Sequence, residues 1–398
     1  MEEYKTHTLD EISRGKGSYG IAASAVPFDS SLFTYLRITD INDDGSLNKS
    51  GLTSVDEDNA GNYLLKPNDI VFARTGNSTG RAYFYDGSDG ELVYAGFLIK
   101  FSLDESKVNP RILKYYTHSK PYYDWVRSFD TGGTRGNINA KTYGSMPITL
   151  PSRPTQDRIV EILKSLDDKI EVNRRINDNL EQQAQALFKY WFVDFEPFKD
   201  QPFVESELGM IPQGWRVGTL FDVAEILDKY RKPLSGKDRE SMEKIYPYYG
   251  ATSCMDYVDN YIFDGIYTLI GEDGSVVKED GLPYMQYVWG RLWVNNHAHI
   301  LQGKNGFSTE MLHVMLSITN IQHLVTGAVQ AKLSQTNMQK ILVPIPPIDI
   351  LDKIRPLIDE LYEIKRNKEE ESHRLAELRD SLLPRLMSGE LKVNEVEI

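Results

Sequence analysis

The segment "TGAVQAKLSQTNMQKILVPIPP" (residues 326–347) has a weaker copy, "TGGTRGNINAKTYGSMPITLPS" (residues 131–152). Both ends are offset by 195 positions. The same offset carries Asp157 onto Asp352, Ile159 onto Ile354, Leu166 onto Leu361, Leu180 onto Leu375 and Leu187 onto Leu382. Upstream, with small gaps, "PRILKYYTHSKPYYDWVRSFDTG" (110–132) parallels "TEMLHVMLSITNIQHLVTG" (309–327). The halves also open alike, with "HTLDEI" at 7–12 and "GTLFDVAEI" at 218–226. Shared features in the same order across half a chain mean duplication. The period is far longer than the roughly 20–50 residues of a solenoid unit. The chain must therefore fold as two domain-sized halves, each a globular part followed by a helical arm.

The globular parts read as mixed strand and helix. "DIVFARTG" (69–76), "YAGFLIKFSL" (94–103), "YTLIGEDGSVV" (267–277) and "RLWVNNHAHIL" (291–301) are β-rich runs bounded by Gly, Asn and Asp. The arms carry helical periodicity. In the first, Thr155 is the expected N-cap and Asp157 suits the first turn. Ile159, Leu163, Leu166, Ile170, Leu180, Ala184 and Leu187 form an apolar seam interrupted by Asn173 and Asn177. A continuous helix over 156–192 would be about 55 Å long. In the second arm Asp349 is the expected cap. Ile354, Ile358, Leu361, Leu375, Leu382 and Leu386 take the matching seam, with Lys365, Lys368, Ser372 and Arg379 in its polar middle. Pro384 is expected to kink or end this helix. Neither stripe can be buried alone, so the arms are expected to pair antiparallel within the chain. Packing of each arm on its own domain, or dimerisation through the stripe, are the alternatives. The expected fold class is α+β: two mixed α/β domains and two long antiparallel helices, related by an internal pseudo-two-fold repeat. The expected boundaries are 1–152, first domain; 153–197, first helix; 198–347, second domain; 348–398, second helix and tail.

Composition narrows the function. Of 398 residues, 40% are hydrophobic and 11% aromatic, the profile of an ordinary globular protein. The start "MEEYKTHTLDEISRG" is polar, and no run approaches the length of a membrane span, so no signal peptide or membrane anchor is expected. The single cysteine, Cys254, excludes an intrachain disulfide or a cysteine-rich zinc site and fits a reducing, cytoplasmic setting. A net charge of −13 argues against binding nucleic acid through the field of the whole chain. Any anion must instead be met by local basic loops on an acidic body.

At this point the chain resembles the specificity subunit of a type I restriction-modification system. The residues that carry the resemblance are "YLRITDINDDGSL" (35–47), "LLKPNDIVFARTGNSTGRA" (64–82), "LPSRPTQDRIVEIL" (150–163) and "LFKYWFVDFEPF" (187–198). The second half adds "SELGMIPQGW" (206–215), "YYGATSCMDYVDNYIFDG" (248–265), "LIGEDGS" (269–275) and "LLPRLMSGEL" (382–391). The resemblance spans nearly the whole chain. It implies two target-recognition domains, each reading one half of a bipartite site on double-stranded DNA, with the helices acting as a ruler for the spacer. It implies no catalysis and no cofactor bound by this chain. S-adenosylmethionine would sit on two docked adenine-N6 methyltransferase (modification) subunits, and Mg/ATP on restriction (endonuclease/translocase) subunits. The departure is Leu351 where the first copy has Gln156. Gln156 is a candidate for capping or a cross-helix contact, a role not extended to Leu351.

Candidate DNA contacts follow from residue type. "ARTGNSTGRA" (73–82) is a Gly-rich turn offering Arg74, Thr75, Asn77, Ser78 and Arg81 to phosphate or guanine; an ordinary hairpin tip would look the same. "GGTRGN" (132–137) offers Thr134, Arg135 and Asn137, and its echo "GAVQAK" (327–332) offers Gln330 and Lys332. "KYRKPLSGKDR" (229–239) concentrates Lys229, Arg231, Lys232, Lys237 and Arg239, the best phosphate-contact cluster of the second half, and "GEDGS" (271–275) adds Ser275. The aromatics of "KYYTHSKPYYDWVR" (114–127) are expected to pack on their own sheet rather than stack bases. His297 and His299, alternating on an expected strand, lack companions at metal-ligand spacing, so no metal is expected. No methyltransferase tetrad appears. "GKGSYG" (15–20) and "SGKD" (235–238) do not complete a P-loop. A coiled-coil adaptor for protein or glycan and an enzyme with an unfamiliar site are the rival readings.

Overall fold

The computed structural model describes residues 4–129, 136–327 and 330–396. The chain divides into two compact units. One comprises Met1–Glu171 with Ser372–Ile398, the other Val172–Glu371. Each unit thus holds one globular domain and half of each long helix.

In the first unit, Lys5–Thr8 pairs antiparallel with Pro147–Leu150, joining both ends of the domain. Between them lie two four-stranded sheets. The first has the order Ser18–Tyr19, Leu98–Ser102, Asp69–Ala73, Ala82–Tyr85; the second has Val26–Pro27, Thr53–Val55, Phe33–Leu36, Leu92–Tyr94. "DIVFA" is buried at every position, as an apolar run central to a sheet should be. Tyr115, Tyr116 and Tyr122 pack in the same core as Phe72 and Phe101, as expected of that aromatic segment, while Tyr123 stays exposed; Tyr143 joins the core from outside that segment.

In the second unit, Arg216–Thr219 pairs antiparallel with Leu342–Ile345, repeating the first unit's closure, with Leu342–Ile345 at the 195-residue offset from Pro147–Leu150. The shared "TL" opening has a physical cause. Thr8 and Glu11 exchange backbone-to-side-chain hydrogen bonds of 2.7 and 3.3 Å. Thr219 and Asp222 make the same capping box. These amide donors hold Glu11 and Asp222 below the usual carboxylate range. The main sheet has six strands, in the order Ala224–Ile226, Ala298–Gly303, Phe263–Gly271, Met285–Val294, Tyr246–Tyr249, Cys254–Val258. The run read as one strand over 291–301 is therefore two. A turn at Asn296 and His297 separates Met285–Val294 from Ala298–Gly303, so His297 and His299 do not share a strand face.

The long helices are Arg153–Phe192 and Ile348–Ser388. The first starts before Thr155, so Ser152 and not Thr155 takes the cap position; it ends at Phe192, as its periodicity predicts, five residues inside the expected domain boundary at 197. The second starts at Ile348, which puts Asp349 inside the first turn. Pro384 falls in the last turn of this helix, which ends at Ser388, four residues on.

Within each unit the two helix segments run antiparallel. In the first, Ile159 and Leu163 share a core with Leu383, Leu386 and Met387, while Asp167 meets Arg379 at 2.9 Å. In the second, Asn173 donates to Glu371 at 3.1 Å and Lys365 to Glu181 at 3.1 Å, while Ala184 and Phe188 share a core with Ile358 and Tyr362. Leu180, Ile354 and Ile358 are buried as the seam requires. Leu166, Ile170, Leu187, Leu361, Leu375 and Leu382 are only half-buried. Near the end of the second helix the buried side is led by Leu383 instead of Leu382, because the helices also pack on their domains and the seam turns toward them.

The duplicated junctions differ in chemistry. Gln156 is buried, accepting from the Asn109 amide at 3.0 Å and donating to the Pro151 carbonyl at 2.9 Å, so it ties helix to domain instead of crossing between helices. Its counterpart Leu351 packs in an apolar core instead. Farther along, Asp167 accepts from Lys114 (2.8 Å), Tyr115 (3.0 Å) and Arg379. Burial pushes its carboxyl up, but the charges and hydrogen bonds of Lys114 and Arg379 outweigh that and hold it low. The matching position is Tyr362, stacked edge-on with His313 and Tyr287. There Arg366 instead pairs with Glu310 at 2.6 Å. One repeat joins domain to helix by an ion cluster, the other by aromatics and a displaced ion pair.

Candidate nucleic-acid interface

In both units the candidate residues gather where the central strand ends. In the first unit that strand is Asp69–Ala73, followed by Arg74 and a short turn whose Gly76 takes φ 77°, a conformation glycine adopts freely. The Arg74 amide donates to the Phe97 carbonyl at 3.1 Å, and the Arg74 carbonyl accepts the Ile138 amide at 2.9 Å. Its guanidinium lies 5.0 Å from the Tyr19 ring centroid and donates to Asn137 at 3.3 Å. Thr75 bridges Asn137. Arg74, Thr75, Asn77 and Asn137 are thus brought together with Tyr19 and Phe97, both exposed. Two buried tyrosines hold the turn from beneath: Tyr143 donates to the Ala73 carbonyl at 2.9 Å and Tyr122 to that of Gly80 at 2.6 Å.

Two of the expected contacts here are turned to structure. Ser78 is buried inside the turn. Arg81 donates to the Ile41 carbonyl at 3.0 Å and pairs with Asp43 at 2.6 Å, pinning the neighbouring loop. Thr134 and Arg135 lie outside the described residues.

The second unit builds the same point with other chemistry. Glu272 follows the central strand Phe263–Gly271; its amide donates to the His297 carbonyl and its carbonyl accepts the Leu333 amide, both at 2.8 Å. Asp273 bridges Lys332 just as Thr75 bridges Asn137. Glu272 therefore stands where Arg74 stands, and Lys332 where Asn137 stands. Beneath them is a buried polar hub. Asp228 meets His299 Nδ1 at 2.5 Å, accepts the Ile300 amide at 3.0 Å and accepts from Gln335 at 2.7 Å. His299 Nε2 lies 2.7 Å from the Leu333 carbonyl. Arg231 lies 3.3 Å from Asp228, 2.7 Å from Glu272 and 2.7 Å from the Ala298 carbonyl. Burial pushes the Asp228 carboxyl up; the hydrogen bond and charge of His299, the Ile300 amide and Arg231 prevail and hold it below its ordinary range.

Asp228, Glu272 and His299 present ligand atoms within 4.8 Å of one another, which is metal-site spacing that sequence reading missed because the residues are far apart in the chain. The Arg231 guanidinium lies between the two carboxylates and supplies the positive charge that an ion would bring. Arg231 is therefore a structural cation and not an outward phosphate ligand, a correction to the sequence reading. Lys229, Lys232 and Lys237 are exposed, as are Ser275 and Gln330. Lys332 is half-exposed, 3.5 Å from Glu272.

Two α/β domains on paired long helices, with basic and amide-bearing loops at one strand end of each, define a duplicated recognition protein. The family described as type I restriction modification DNA specificity domain matches residues 1–182 and 212–373, and the chain belongs to it. It is 27% identical over 310 residues to the type I restriction enzyme MjaIX specificity subunit of Methanocaldococcus jannaschii, covering 71% of this chain and 69% of that one. It is 24% identical over 403 residues to the HindI specificity subunit of Haemophilus influenzae, covering 82% and 87%. The crystal structure of a type I restriction-modification S subunit from M. genitalium shares the fold, with a TM-score of 0.53 at 17% identity, covering 97% of this chain and 96% of that chain.

Proposed function

We propose that this chain reads a bipartite sequence on duplex DNA, one half-site per domain, as the non-catalytic specificity component of a type I restriction-modification complex. The observation that carries this is the duplication of one recognition point with different side chains: Arg74 and Asn137 in one unit, Glu272 and Lys332 at the same backbone positions in the other. Identical scaffolds with divergent tips suit two different half-sites. One such module offers a few base contacts, each worth about 1–3 kcal/mol of discrimination. Two modules joined by helices add their discrimination at a set spacing, which a flexible linker would lose. Methylation would come from two partner methyltransferase subunits carrying S-adenosylmethionine, and cleavage from restriction subunits using Mg/ATP. The working place of such a complex is the cytoplasm. Among the described residues no helix is long and apolar enough to cross a membrane.

Methylation mapping in cells carrying this chain and its methyltransferase partner tests the reading. A split motif is expected. Removing seven residues from each long helix, about 10 Å of rise, should shorten the spacer by about three base pairs and leave both half-sites unchanged. Altered half-sites with an unchanged spacer would refute the ruler, and an unsplit or absent motif would refute the reading.

A further inference from the structure

In both units a tight turn leads into the strand beside the central one. In the first it is residues 95–98, closed by the Leu98 amide on the Ala95 carbonyl at 2.8 Å. In the second it is residues 295–298, with the His297 amide on the Asn295 side chain at 2.8 Å. The Phe97 and His297 carbonyls accept the amides of Arg74 and Glu272 respectively. Phe97 and His297 therefore occupy one equivalent position, against the residues already placed at the recognition point.

Both side chains stay largely exposed at that position. Phe97 is 60% exposed, the largest exposure of any large hydrophobic among the described residues. Its neighbours Arg74 and Asn137 are hydrogen-bonding side chains, and Tyr19 beside them is 42% exposed. The His297 side chain is 48% exposed. Asp273 engages its Nδ1, and Nε2 has no partner among the described residues. The buried Arg231 grips the backbone on both sides of His297, at the Asn296 carbonyl (3.4 Å) and the Ala298 carbonyl (2.7 Å). The fold thus holds the His297 turn rigid while leaving one ring nitrogen unused.

We propose that Phe97 and His297 are direct DNA contacts, one in each half-site. Phe97 acts through apolar contact, against a thymine methyl or partly inserted at a base step. His297 acts through a hydrogen bond made by Nε2 to a base edge, its ring oriented by Asp273. Duplex DNA is the favoured occupant because an exposed aromatic ring whose backbone meets Arg74, itself joined to Asn137 and the exposed Tyr19, suits stacked bases edged by phosphates. This inference rests on the DNA-reading function proposed above.

The assembled complex with its methyltransferase partner is the test, using methylation mapping and retardation of a cognate duplex at several salt concentrations. Phe97→Ala is expected to weaken cognate binding about tenfold or more, with an unchanged salt slope, because no phosphate contact is lost. It should relax one position in one half-site, and Phe97→Leu should recover part of the loss. His297→Ala should relax a position in the other half-site, and His297→Gln should retain more discrimination. Both residues are exposed, so unchanged melting temperatures are expected. Wild-type motif and affinity in both alanine variants would overturn the inference while leaving the DNA reading intact. So would weakened assembly with the partner at an unchanged motif, which would mark the turn as a protein contact. A wild-type complex without any sequence preference would instead remove the function on which the inference stands.

Discussion

Lys229, Lys232 and Lys237 allow a quantitative prediction about how the second domain meets the DNA backbone. All three are exposed, and none pairs with a carboxylate among the described residues; Lys229 lies over the Tyr230 ring at 4.8 Å. Their charges are therefore available to phosphates. Each phosphate contact adds about 0.9 to the slope of log affinity against log salt. Replacing all three lysines by alanine should lower the slope by about 2.7. Between 50 and 200 mM salt the wild type should then lose about 40-fold more affinity than the triple variant. Retardation of a cognate duplex by the assembled complex across that range measures both. The recognised motif should stay the same, because phosphate contacts carry no sequence information. An unchanged slope would show that the loop does not track the backbone. A changed motif would show that these lysines read bases.

Two further outcomes follow from the interior. Arg231→Ala removes the cation between buried Asp228 and half-buried Glu272, leaving them only His299 and Lys332 as basic partners among the described residues. It should cost about 3 kcal/mol of stability with little change in salt slope, measured by thermal unfolding. A stable variant with a reduced slope would restore Arg231 as a phosphate ligand. His313 is pushed down to about 3, by burial first and then by the Lys365 charge. The unfolded chain therefore takes up a proton near pH 6.5 that the folded chain refuses. Stability is full above that pH and falls by about 1.4 kcal/mol per unit down to the folded value, about 2 kcal/mol by pH 5. His313→Phe should remove that component of the acid slope in pH-dependent unfolding; an unchanged slope would place the titration elsewhere.

Much of the architecture was legible in the residues. Helical periodicity is a local property, so both long helices and their mutual burial could be read within a few residues of their ends. The "TL" capping boxes and the offset of 195 likewise survive as linear pattern. The misreadings have physical causes. Arg81 and Arg231 looked like free polar tips because key partners are remote: Asp43 and Ile41 for Arg81, Glu272 and Ala298 for Arg231; Ser78 was misread because burial within its turn leaves no linear signal. "RLWVNNHAHIL" does carry a turn signal, Asn295-Asn296, but the β-rich residues on both sides hid it, so His297 was placed on a strand.

By itself, then, the sequence determined that two alike halves exist, that each ends in an amphipathic helix, and that the chain belongs with duplicated recognition proteins. Those are properties of order and period, carried by neighbours along the chain. Only the tertiary structure decided which cations are spent inside and which remain for phosphate. It alone set Phe97 and His297 at one equivalent point and filled a cluster of metal-site spacing with an arginine. Charge pairing and burial depend on side chains that meet across tens or hundreds of residues, and that meeting is an outcome of folding which no local pattern encodes.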